Sequence, residues 1–147
     1  ENDDRAVMQI ITADTQAYDD GETAICFMGH GSDAAANAIY SDFQQRLHRD
    51  AYRNYYIGTV EADPTLEQLL ALVRTGGNYK RVLLQPLMVV AGDHAHHDMA
   101  GEDDESWKST FEKAGYEVTC IVKGLGELEG IRNIYVSHVK NCIKQML

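Results

Sequence analysis

The chain has 147 residues, 44% of them hydrophobic and 24% charged, which is the balance of one soluble globular domain able to bury a core. Its 23 acidic side chains outnumber 13 Lys and Arg, for a formal net charge of -10. That excess excludes a nucleic-acid binder, which needs clustered Lys and Arg, and suits a protein that attracts metal cations. No apolar run approaches the roughly 20 residues that cross a bilayer, and no signal-peptide pattern opens the sequence. A cytoplasmic, membrane-free setting is therefore expected. The start at Glu1, without Met, is expected of a processed product or a piece of a longer protein, so export stays open. Cys26, Cys120 and Cys142 are widely spaced with no CxxC pair, which predicts buried, reduced thiols.

In chain order, residues 4–17 are predicted helical, with Val7, Ile10 and Ile11 on one side. Residues 24–28 (AICFM) form a short apolar run ending at Gly29, the pattern of a buried parallel strand. A helix is predicted over 33–49, with Ala35, Ile39, Phe43 and Leu47 on its apolar stripe. A second strand is predicted over 55–60. Asp63-Pro64 is read as the start of the next helix, Asp as N-cap and Pro in the first turn, with Leu66, Leu69, Leu70 and Val73 facing the core and Gly76-Gly77 ending it. The third strand, 81–90 (RVLLQPLMVV), is the most hydrophobic, and Pro86 ends or bends its ladder. Asp103, Asp104 and Glu105 are expected to open a helix that Gly115 stops. Residues 116–122 alternate apolar and polar, as an edge strand does. Residues 131–147 read as a closing helix with a broad stripe of Ile131, Tyr135, Val139, Cys142 and Met146.

This α-βα-βα-βα-βα order predicts a single α/β domain over 1–147: a four-stranded parallel sheet with helices on both faces, Rossmann- or flavodoxin-like. Ligands of such sheets bind beyond the carboxyl ends of the strands. Three segments fall there: Gly29-His30-Gly31-Ser32, Glu61-Ala62-Asp63 and Gly92-Asp93-His94. His30 sits between glycines that permit a tight turn and close approach of a bulky ligand. The alternative for it is a loop-packing or capping histidine. The GHGS turn lacks a P-loop Lys and the full GxGxxG spacing, so it carries little phosphate signal. His94 stands in a run of three histidines and two aspartates within six residues, ligands typical of Co2+, Ni2+, Zn2+ and Fe2+, although a solvated polar loop has the same composition. Glu61 is either a solvent-facing carboxylate or a third ligand beside the two histidines. His48, His138 and Trp107 read as structural.

Taken together, Phe27-Met28-Gly29-His30-Gly31-Ser32, Val60-Glu61-Ala62-Asp63-Pro64, and residues 85–94 and 97–100, which carry the pattern PLMxVAGDHxxxDM, resemble the anaerobic sirohydrochlorin cobalt chelatases (CbiK type) and, more distantly, class II chelatases including ferrochelatase. Ser106-Trp107-Lys108 and Gly124-Leu125-Gly126-Glu127 extend the resemblance, which runs from Ala24 onward. It implies two similar α/β domains facing each other across a cleft, of which this chain is like the C-terminal one. It implies His30 and His94 as metal-binding histidines and Glu61 as the cleft glutamate. It also implies a sirohydrochlorin-type tetrapyrrole as substrate and a divalent metal as co-substrate, Co2+ before Fe2+, Ni2+ or Zn2+, with no organic cofactor. The partner it implies is the N-terminal half, or a second copy, because short chelatases of the superfamily are symmetric homodimers. Metal insertion removes two pyrrole protons, and a neutral histidine can accept a proton or hold the metal, though one nitrogen cannot do both. A ferro- or nickel-chelatase, a metal-carrier domain and a metal-dependent hydrolase are the competing readings.

Overall fold

The chain was analysed as a computed structural model, which describes residues 2–31, 34–88, 92 and 94–146; the side chains of residues 2–4, 34–37, 94, 135, 138, 139 and 141–146 lie outside the description. Four strands, β1 (Thr23–Gly29), β2 (Tyr55–Thr59), β3 (Arg81–Pro86) and β4 (Glu117–Cys120), form one parallel sheet in the order β2-β1-β3-β4. Its helices are α1 (Asn2–Thr15), α2 (Ala34–Arg49), α3 (Leu66–Gly76), α4 (Trp107–Lys113) and α5 (Glu129–Met146). The α/β class and the parallel sheet expected from the β/α alternation are both present.

Each central strand feeds two cores because successive side chains leave opposite faces. Ile25, Phe27 and Leu83 pack with Met8, Phe43 and Ile131 under α1, α2 and α5. Ala24, Cys26, Met28 and Leu84 pack with Leu69, Val73 and Phe111 under α3 and α4. Every residue of β1 is buried, which is why its sequence is an unbroken apolar run. Burial also pushes the Cys26 thiol well above its ordinary range, so this cysteine is an inert core residue.

Several boundaries differ from the sequence expectation. Helix α3 starts after Thr65, not at Asp63: the Thr65 hydroxyl accepts the Gln68 N–H, and the Gln68 side chain accepts the Thr65 N–H. That capping box satisfies two orphan donors at once, whereas Pro64, after a cis peptide bond, keeps its carbonyl for the turn. Helix α4 likewise starts after Ser106, whose hydroxyl caps Ser109, so Asp103, Asp104 and Glu105 precede the helix and are exposed. In α2 the inward stripe is Tyr40, Phe43 and Leu47; Ile39, expected on it, is 46% exposed. Strand β3 ends at Pro86, while Leu87 still donates to Met28 O (2.7 Å). Residues 89–91 lie outside the described chain, as do the side chains of Tyr135, Val139, Cys142 and Met146 on the expected α5 stripe.

Edge strand β2 does not present a bare row of backbone groups. The Gln44 side chain lies along it, accepting the Ile57 N–H (2.7 Å) and donating to Tyr55 O (2.8 Å), where His48 Nε2 also approaches at 3.0 Å. One amide thus imitates a neighbouring strand, which blunts pairing with another chain. Gln44→Leu should therefore leave the Ile57 N–H without an acceptor and cost about 1–3 kcal/mol in a urea titration; an unchanged midpoint would deny the amide this role.

At the opposite, amino edge, Arg81 Nη2 bridges Asp20 (3.0 Å) and Glu22 (3.1 Å). The Glu22 backbone N–H and then the Arg81 guanidinium hold Asp20 down at about 2, from 3.8. Because the folded value lies below the unfolded one, this contribution is present above pH 3.8 and is lost as pH falls through about 2. Asp20→Asn is accordingly expected to flatten the acid limb of stability in that window and to leave its shape above pH 5 unaltered, as read by denaturant melts at stepped pH.

Candidate metal-handling site at the carboxyl edge

His30 directly follows β1 and Glu61 follows β2, so the two are brought side by side by parallel pairing itself. The ladder registers Gly29 with Thr59, its next bond runs from Val60 N–H to Gly29 O (3.0 Å), and a turn bond from Glu61 N–H to His30 O (3.0 Å) follows it. With backbones held at strand spacing, His30 Nδ1 lies 3.7 Å from Glu61 Oε2.

The local sequence permits this approach at two glycines. Gly31 has φ +93, and a Cβ there would stand 2.9 Å from the Ala62 nitrogen, so only glycine lets the His30 turn press against the Glu61 turn. A Cβ at Gly29 would run into the ring of Tyr40, which rises from α2 beneath the turn and receives the Gly31 N–H at its hydroxyl (3.4 Å). Sequence reasoning missed Tyr40; its signal was the 40/43/47 spacing of the true α2 stripe.

His30 Nδ1 lies 2.9 Å from Gly31 O. A carbonyl only accepts, so Nδ1 carries the proton, and the lone pair of the neutral ring sits on Nε2, the nitrogen suited to a metal. The His30 and Glu61 side chains are 49% and 58% exposed, so water screens any electrostatic interaction between them.

Of the three residues expected to converge, the structure brings His30 and Glu61 together. His94 begins a π-helical turn, His94–Met99, in the loop after β3; its side chain lies outside the described residues, so its distance from His30 is not part of that geometry. The turn is anchored by Ala95 and Met99, both buried, while His96 and His97 face solvent. Gly101 allows it to close, since a Cβ there would collide with His97 O. Among the described residues, no group of three or more His, Cys, Asp or Glu side chains is placed to hold a metal. His48 is structural as expected, bonded to β2. Trp107 is buried against Gly58. The His138 side chain is outside the description. No helix among the described residues is long and apolar enough to cross a membrane.

Comparison with known proteins bears on what this edge handles. The family model of the cobalt chelatases (CbiK) matches residues 1–144. The chain is 35% identical over 125 residues to sirohydrochlorin cobaltochelatase CbiKC of Nitratidesulfovibrio vulgaris, covering 85% of this chain. It is 40% identical over 121 residues to the sirohydrochlorin cobaltochelatase of Salmonella typhimurium, covering 81% of this chain. It spans 44% of the length of each of these relatives. A solved CbiX cobalamin biosynthesis protein from Marinobacter aquaeolei shares the fold, with a TM-score of 0.64 at 18% identity, covering 84% of this chain and 98% of its own.

The contact between the two turns is testable without any ligand. Gly31→Ala combines positive φ with a backbone clash, whereas Gly21→Ala (φ +83) meets nothing within 4 Å. Backbone strain alone costs on the order of 1–3 kcal/mol. Gly31→Ala should destabilise the chain more than Gly21→Ala in parallel urea titrations, and equal losses would mean that the turns are not pressed together.

Proposed function

The chain belongs to the cobalt chelatase (CbiK) family, and from that premise we propose that it is the metal-handling half of a sirohydrochlorin cobaltochelatase, inserting Co2+ into a sirohydrochlorin-type tetrapyrrole in cobalamin biosynthesis. The observation that carries the reading is the His30–Glu61 pair at the carboxyl edge, with Nδ1 turned to Gly31 O and the lone pair on Nε2.

Metal insertion is an exchange: two pyrrole protons leave while Co2+ trades its other ligands for ring nitrogens. His30 Nε2 supplies a neutral ligand that holds the incoming ion. Glu61 stands on the Nδ1 side of the ring, a placement that favours a proton acceptor over a metal ligand. Its carboxylate would stabilise positive charge on the imidazole as the metal binds and would receive a proton from the macrocycle. His94 is proposed as the second histidine ligand, on its position after β3 and its place in the PLMxVAGDH motif. Two histidine ligands, with a carboxylate beside them and positions left for water, suit an ion that must later leave. Fe2+ and Ni2+ fit the same donors, so the metal assignment rests on the relatives and not on the ligand types.

A polycarboxylate substrate meets a chain of net charge -10, so further contacts are proposed to come from the facing half of the enzyme or from a second copy of this chain. Either would close the open side of a site whose two described side chains are about half exposed.

The decisive experiment follows the absorption spectrum of sirohydrochlorin with Co2+ and the chain, alone and with an added N-terminal half. A chelatase converts many equivalents of tetrapyrrole, whereas a metal carrier binds Co2+ and leaves the macrocycle spectrum at its uncatalysed rate. In the active assembly, His30→Ala and His94→Ala should each slow insertion by about tenfold or more. His96→Ala and His97→Ala should stay within about twofold, since both side chains face solvent. Equal losses for all the histidines of the 94–97 run would instead describe a diffuse histidine-rich metal patch.

A further inference from the structure

Resting on the reading of Glu61 as a metal-site residue, we propose that Thr59 is its positioning residue: the Thr59 hydroxyl latches the turn that carries Glu61 and so fixes the carboxylate beside His30. Thr59 is the last residue of β2 and is 1% exposed, an expensive place for a hydroxyl unless it is bonded. It is bonded twice. Oγ1 accepts the Ala62 N–H (3.0 Å) and donates to Pro64 O (3.3 Å), and the Thr59 N–H reaches the same carbonyl (2.7 Å).

The consequence falls on Glu61. The peptide N–H before its Cα is held by His30 O, and the peptide N–H after it is held by Thr59 Oγ1. Fixing both flanking peptides sets φ and ψ of Glu61, leaving only its side-chain torsions to adjust. One of the two anchors is the His30 carbonyl in the turn after β1, the other is Thr59. A valine at 59 has nearly the same shape and keeps the packing, but it leaves the Ala62 N–H without its acceptor. The turn is then free to lift Glu61 away from His30.

The test is Co2+ binding by the full chain, followed through the d–d absorption of the bound ion. Thr59→Val should weaken binding by about tenfold, the lower end for losing a supporting group around a metal site, and should alter the d–d spectrum. Thr59→Ser, which keeps the hydroxyl, should restore both to within about twofold. In a Glu61→Gln background, Thr59→Val should cause no further loss, because the two act through one group. A folded T59V chain with unaltered affinity and spectrum, or fully additive losses in the double variant, would overturn the proposal. Thr59→Ala serves the same comparison if the valine does not fold. An E61Q chain that binds Co2+ as the unaltered one does would remove Glu61 from the metal site, which is the failure of the underlying reading. Hydrogen exchange at the Ala62 amide then still decides the latch: faster exchange in T59V supports it, and unchanged exchange refutes it.

Discussion

The site depends on one constraint, the parallel pairing of β1 with β2 and the backbone bonds that join the two turns just beyond it. The bond from Val60 to Gly29 O is in phase with that ladder, and the bond from Glu61 to His30 O follows directly on it, made where the chain turns. They convert strand register into site geometry. A one-residue slip would send each side chain of the slipped strand into the opposite core, and the packing of the two cores forbids it. Phe27 and Ile57, paired in this register, belong to the same core cluster, so the packing that stabilises the fold also aligns His30 with Glu61.

The sheet and the order of its elements were legible because their signals are local and strong. An apolar run such as AICFM has few uses other than a strand covered on both faces, and β/α alternation leaves little choice of topology. Helix starts were less legible. Asp63-Pro64 and Thr65 are both sound starts by residue type, and the choice fell to the reciprocal bonds of Thr65 with Gln68. Periodicity also placed Ile39 on the wrong side, since a stripe that reads equally well through 39 or 40 is settled by what the turn above it needs, here the Tyr40 ring under Gly29.

Of the candidate site, the residue types and their strand-end positions could be read from the chain, and so could the glycines flanking His30. The supports could not. Thr59 looks like any β-branched residue at the end of a strand, and its hydroxyl matters only because residues 60–64 fold back over it. The role of Glu61 was equally hidden, because a glutamate after a strand reads equally as a solvent-facing carboxylate or as a ligand. The structure adds that the carboxylate approaches Nδ1, the nitrogen already turned toward Gly31 O, and not Nε2.

The openness of this pair separates two kinds of metal chemistry. A structural site surrounds its ion with four protein ligands and holds it through the folding energy. Here two side chains about half exposed stand on one edge of a sheet, and the next histidine belongs to a separate π-helical turn. Under the proposed function, such a site would give up affinity and gain exchange: open positions would let water, then pyrrole nitrogens, replace protein ligands without unfolding anything. A net charge of -10 compensates in part by raising the local concentration of cations. The same charge would oppose a polycarboxylate, which is why the proposed function gives this chain the cation and a facing surface the anion. The burden of holding the anion then falls on whatever surface faces it.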